Sequence, residues 1–223
     1  MRFTETNYLW VPAHRHLVSL SKGCRVADVG GKLGSKWQLD NSTTIGWEGD
    51  VKVDLDNFTD TSWLDGIDFV HSRHTLEDLA NPERLIKAMQ QVPSGWIECP
   101  SPLAENTADL QVEGFRGYVH HRWFVGTDNG ELVLIPKYPS ICTIQMTAPR
   151  DLVKLLELAI HWNVYYEWSP ENPLKYRILK HGVDFDVNDQ KTYVELIIQL
   201  ESNTIRDNQS KPFYTPAPQE VIA

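Results

Sequence analysis

Five short apolar runs, each closed by turn-forming residues, fill the first hundred positions and set the tightest limit on the fold. They are residues 25–29, 43–48, 51–55, 67–72 and 96–99. Runs this short do not make buried helices; they suit strands covered on both faces. The first ends in Gly30-Gly31 and the last in Pro100. Helix signals lie around and between them. Residues 14–21 carry Leu17, Val18 and Leu20, and Gly23 follows as a C-terminal cap. Asn81-Pro82-Glu83 opens a second helix, with an N-cap, a first-position proline and an acid in the first turn. Leu85, Ile86 and Met89 form its apolar stripe. A short helix is expected within residues 35–41. Strands alternating with helices imply a mostly parallel sheet joined by right-handed crossovers.

The alternation breaks after Pro100. Asp128-Asn129-Gly130 lies between apolar residues 123–125 and 132–134, a β-hairpin signal. Residues 101–148 therefore read as an insertion over one end of the sheet. A helix marked by Leu152, Leu155, Leu156, Leu158 and Ala159 resumes the pattern. Residues 164–168 and 175–179 read as a closing antiparallel pair, and residues 193–200 fit a terminal helix or an edge strand. The tail from Lys211 to Pro218 has three prolines and cannot continue a helix. The expected organisation is one domain over residues 1–210, carrying the insertion, with an extended arm over residues 211–223.

Composition narrows the class. The chain has 223 residues and a formal net charge of −9, so whole-surface attraction to nucleic acid or anionic lipid is not expected. Its three cysteines, Cys24, Cys99 and Cys142, include no close pair and make no disulfide framework. Residues Met1 to Glu5 lack the charged and apolar regions expected of a signal peptide, and no apolar run approaches the ~20 residues that span a bilayer. A cytoplasmic protein is expected. Trp162, Tyr165, Tyr166 and Trp168 are read as core packing, and the acidic residues 184–189 as a solvated loop lacking the glycine and terminal Glu of a calcium site.

The chemistry centres on Asp28-Val29-Gly30-Gly31-Lys32-Leu33-Gly34. It ends a buried strand, where glycines let backbone approach a ligand. The carboxyl edge of a parallel sheet is where such folds bind ligands. Glu48 ends the next strand, 20 residues after Asp28, and can accept both hydroxyls of a ribose.

These residues resemble a known family. The segment from Val26 to Gly34 is similar to the first motif of class I S-adenosylmethionine-dependent methyltransferases of the type 11-like group. The segment from Asp68 to Pro82, with His74-Thr75-Leu76-Glu77-Asp78, resembles their fourth-strand region, and Pro93 to Pro100 their fifth. The resemblance covers residues 24–100 and extends loosely to about residue 180. It implies a Rossmann-like, seven-stranded, mostly parallel sheet with a terminal antiparallel hairpin and helices on both faces. It also implies S-adenosylmethionine as cofactor. Gly30 and Gly34 would flank its methionine and ribose, Asp28 and Gly31 would also belong to the cofactor site, Glu48 would take the ribose hydroxyls, Asp54 and Leu55 would meet the adenine edge, and His71 and Ser72 would line the pocket below the methionine. Lys32 stands where the family has its middle glycine and must point away from the cofactor. Asp78 stands where the family often has His.

Gly117-Tyr118-Val119-His120-His121-Arg122-Trp123 falls in the insertion. If extended, the two histidines face opposite sides. One of His120 and His121, with His74, is expected to act as base or acceptor clamp. Arg122 and Trp123 are expected to bind substrate. A metal site from His71, His74, His120 and His121 is chemically open, but no Cys pair or His-Glu-x-x-His run supports it, and no metal is expected. The reading is methyl transfer to a small-molecule or carbohydrate-like acceptor, with neither membrane nor nucleic acid as partner. The alternatives are a binding module that lost turnover, discriminated by Lys32, and a His-based metal-dependent hydrolase.

Overall fold

The computed structural model describes residues 10–32, 34, 38–107, 115–138 and 161–214. Its centre is a five-stranded sheet in the order β2-β1-β3-β4-β7. The strands are β1 (Val26–Val29), β2 (Ser42–Ile45), β3 (Phe69–Arg73), β4 (Ser94–Pro100) and β7 (Asn163–Trp168). The first four run parallel, and β7 lies antiparallel to β4. Alternation along each strand feeds two cores. Val70, Ile97 and Tyr166 face one side with Leu76, Leu85, Ile86 and Met89. Phe69, Trp96 and Tyr165 face the other, against Ala13 and Leu17 of helix α1 (Trp10–Leu20). The structure is thus mixed α/β with a sheet rich in parallel pairs.

A second sheet of order β5-β6-β8 comprises β5 (Trp123–Asp128), β6 (Glu131–Pro136) and β8 (Tyr176–Ile178). The hairpin forms at the expected turn, where Asn129 and Gly130 both have positive φ, 51° and 79°. Mirror-image turns of this kind match the twist of the paired strands. Helix α2 (Pro82–Met89) begins at Pro82 as its sequence signal indicates. Asn81 makes no side-chain cap; the Asp56 carboxylate instead accepts from the amides of Ala80 and Asn81 at 2.7 and 3.2 Å. Helix α3 (Pro102–Glu105) is capped by the Ser101 hydroxyl, which accepts from the Ala104 amide at 3.3 Å. Residues 193–200 belong to a 20-residue helix, α4 (Gln190–Gln209), which lays Tyr193, Ile197, Leu200, Thr204 and Asn208 against the second sheet and its surroundings.

Three strand expectations are corrected. Among the described residues the strands form two sheets, of five and three strands, in place of a single seven-stranded sheet. Residues 51–55 form no strand; a lone bridge joins Val51 to Ile45. There the Asp50 carboxylate accepts from the Thr44 amide at 3.0 Å, and Asp54 turns the chain by accepting from Asn57 and Phe58. The terminal antiparallel hairpin is also absent. β7 joins the main sheet, whereas β8 pairs parallel with β6. The chain between them closes a turn at Ser169 and Asn172, and the Lys175 amide donates to the Tyr166 hydroxyl rather than to a strand carbonyl. Residues 38–41 are not helical; residues 35–37, the helix expected after Asp151 and the tail beyond residue 214 lie outside the described residues. Within the tail, Phe213 is buried against His16, Trp96 and Tyr165. Among the described residues, no helix is long and apolar enough to cross a membrane.

Candidate functional site

A cleft of about 250 Å³ opens at the carboxyl ends of β1, β2 and β3. Gly30, Gly31 and Lys32 follow β1, Gly46, Trp47 and Glu48 follow β2, and His74, Thr75, Asp78 and Leu79 follow β3. Asp54, Leu55 and Asp56 complete the wall. The two glycine turns meet closely: the Gly30 amide donates to the Ile45 carbonyl at 2.8 Å. Gly30 has φ 79°, and a Cβ there would sit 2.0 Å from Thr75 Oγ1. Only glycine satisfies both conditions without strain. His74 also has positive φ, 49°, where the chain turns off β3 and its amide donates to the Glu98 carbonyl at 2.8 Å.

Of the expected cofactor residues, Gly30, Gly31, Glu48, Asp54 and Leu55 line this cleft. Gly34 does not. Asp28, His71 and Ser72 are not among the residues lining the cleft; they are buried in β1 and β3. His71 Nδ1 lies 2.9 Å from Asp28 Oδ1. The Asp28 carboxylate sits under Gly31, where a Cβ would come within 2.3 Å of its Oδ2. The sheet face beneath gathers further buried polar groups: Glu98 accepts from Arg73 at 3.0 Å and from Asn163 at 2.7 Å.

Lys32 does not turn away as expected. Its ammonium meets Glu48 Oε2 at 2.9 Å in the cleft. Both side chains are mostly exposed, so the pair is weak and salt-sensitive. The Asn57 amide holds the neighbouring Asp54 carboxyl below its usual range. Trp47, 75% exposed, lines the cleft beside Glu48 and was not singled out by its sequence context. The one available signal was an aromatic residue placed immediately before a strand-end carboxylate.

His120 and His121 are not on an extended strand. They sit in a turn before β5, with ring centroids 4.4 Å apart. Each Nε2 lies 3.8 Å from Asp78 Oδ1; Asp78 lines the cleft, whereas the two histidines do not. His120 is exposed, whereas His121 is buried with Nδ1 2.6 Å from Glu105 Oε1. Lys137 ion-pairs with the other Glu105 oxygen. Burial opposes a charged His121 ring, but the Glu105 hydrogen bond and the charges of Glu105, Glu77 and Asp78 raise its pKa overall. Burial, with the charges of Arg73 and His121, pushes His74 down to about 3. Burial lifts Glu77 to about 7.

Arg122 and Trp123 do not line the cleft. The Arg122 amide donates to the Glu77 carbonyl at 2.6 Å and the Trp123 indole to the Leu79 carbonyl at 2.8 Å. Their backbone and indole groups fix the histidine turn beside the cleft, while Trp123 lines a separate depression with Pro136 and Tyr138.

No family model matches the chain, and no curated protein matches it. Among solved structures, it is similar to an S-adenosylmethionine-dependent methyltransferase from Mesorhizobium loti at 16% identity and a TM-score of 0.33. That similarity covers 56% of this chain and 63% of the other.

Proposed function

We propose that the cleft binds S-adenosylmethionine and that the protein transfers its methyl group to a small-molecule or carbohydrate-like acceptor. One observation carries this reading. Glu48, three residues after β2, shares the cleft wall with the Gly30-Gly31 turn after β1. A carboxylate sharing a cleft wall with a glycine turn is suited to a ribose whose neighbouring groups need close backbone approach. The residues fit such a cofactor: Glu48 would accept the ribose hydroxyls, Trp47 offers an aromatic face to the base, and Asp54 and Leu55 would border it. The cofactor supplies an activated methyl group. The chain's part is to orient both partners and exclude water. Asp78 and His74 on the cleft wall, with His120 and His121 beside Asp78, are the groups that would hold an acceptor.

The Lys32–Glu48 pair favours a second reading, a module that keeps the fold without turnover. It occupies the carboxylate that the ribose needs. Calorimetry with S-adenosylmethionine and its demethylated product separates the two. Binding of either, competing with the other, is expected. Absence of binding by both would remove the methyltransferase reading.

A further inference from the structure

We propose that Asp78, His120 and His121 form a binding site for a first-row divalent transition-metal cation beside the cleft. One ligand atom from each lies within 4.8 Å of the other two. Two imidazole nitrogens and a carboxylate oxygen are a donor set that suits Zn²⁺ and its neighbours rather than Ca²⁺ or Mg²⁺. In a tetrahedral site with metal–ligand bonds of ~2.0–2.2 Å, ligand atoms stand about 3.3 Å apart. The two Nε2–Oδ1 separations, both 3.8 Å, approach that spacing before any ion draws the groups together. His120 is exposed and can rotate to close the remainder.

A second observation, independent of the cluster, fixes the donor atom. Glu105 is 1% exposed, and its Oε1 lies 2.6 Å from His121 Nδ1. A carboxylate acceptor there keeps the proton on Nδ1 and leaves the Nε2 lone pair toward Asp78. This carboxylate–histidine relay orients metal-binding imidazoles. Lys137 and the Tyr118 amide hold Glu105 in turn. The Tyr118 ring braces His121, with centroids 4.5 Å apart.

The two chain segments that carry the ligands are also stapled together. Arg122, next to His121, donates from its amide to the carbonyl of Glu77. Trp123 donates to the carbonyl of Leu79. These two bonds bracket Asp78, so the cluster is assembled by the backbone and does not rely on chance approach of surface side chains. Three protein ligands leave a coordination position for an oxygen donor in the cleft. Binding of the cation itself does not depend on the proposed cofactor; only the use of that open position by an acceptor rests on the methyltransferase reading.

The test is Zn²⁺ calorimetry on the tag-free full chain at neutral pH, with visible absorption of the Co²⁺-substituted protein. Saturable stoichiometric binding is expected, with an intense four- or five-coordinate Co²⁺ band. His120→Ala and Asp78→Asn alter exposed side chains, so circular dichroism should be unchanged. Each should weaken Zn²⁺ binding by ~10-fold or more, since even loss of an outer partner costs 10–100-fold. Absence of Zn²⁺ binding, or equal affinity in the variants, would overturn the site and leave a simple histidine–carboxylate ion pair. The titrations contain no cofactor, so their failure is distinct from failure of cofactor binding.

Discussion

Glu48 and Lys32 show how a single exposed pair can tune a binding cleft. Glu48→Ala should leave the fold intact, because a mostly exposed carboxylate in the turn after β2 contributes little packing. It should weaken cofactor binding by ~1.5–3 kcal/mol, the scale of a hydrogen bond to a charged group. Lys32→Ala should act oppositely. Freeing Glu48 from a surface ion pair is worth at most about 1 kcal/mol, so affinity should rise up to about fivefold and the gain should shrink in high salt. Calorimetry at two ionic strengths measures both; a weaker-binding Lys32 variant would mean that the ammonium itself contacts the ligand. Glu77 is the buried counterpart. It is 1% exposed, and this burial raises its carboxyl to about 7 against an ordinary 4.5, although the His121 charge acts the other way. An acid with a raised native pKa keeps its proton while the unfolded chain releases one. Stability therefore falls as pH rises from 4.5 toward 7, then levels. Glu77→Gln should remove that fall, a relative gain of about 3 kcal/mol at alkaline over acidic pH, read from urea melts with chelator present. Parallel pH profiles for the two proteins would refute it.

Among the elements, α4 and the second sheet depend on one close approach. A Cβ at Gly126 in β5 would lie 2.5 Å from Thr204 Oγ1 and 2.7 Å from Leu200 Cγ, both on α4. The same Thr204 hydroxyl accepts from the Thr127 amide at 3.0 Å and donates to the Leu200 carbonyl at 2.7 Å. Gly126→Ala must push the helix off the sheet and should cost ~1–3 kcal/mol in chemical denaturation, the usual cost of overpacking. An unchanged midpoint would show that α4 sits more loosely than these distances imply. The element signals in the sequence were uneven. The β5–β6 turn was legible because Asn129 and Gly130 both tolerate positive φ. The partner of β8 was not, because Tyr176–Ile178 has the same local pattern whether it pairs with β7 or β6.

At the scale of the whole molecule, the two sheets share a core. Val125, Leu132 and Leu134 of the hairpin pack in the same cluster as Val70, Ile97 and Tyr166 of the main sheet. The Tyr166 hydroxyl also donates across to the carbonyls of Gly130 and Lys175 at 3.3 and 3.1 Å. A shared core couples the sheets, so tryptophan fluorescence and far-ultraviolet circular dichroism should report one coincident unfolding transition. Two separated transitions would mean that the hairpin and α4 form an independent unit.

Local sequence determined the parallel strands, the first turn of α2 and the glycine-lined cleft with Glu48 on its wall, because strand period, proline geometry and turn chemistry act within a few residues. It also marked His120 and His121 as a pair. Only the tertiary structure decided what they face. Asp78 reaches them through contacts more than forty residues apart in the chain, and Glu105 and Lys137 arrive from two further segments. The same holds for Lys32, whose partner is set by how β1 and β2 align, and for the division into two sheets. These are choices among distant partners with similar local patterns, and packing and backbone pairing across the fold settle them.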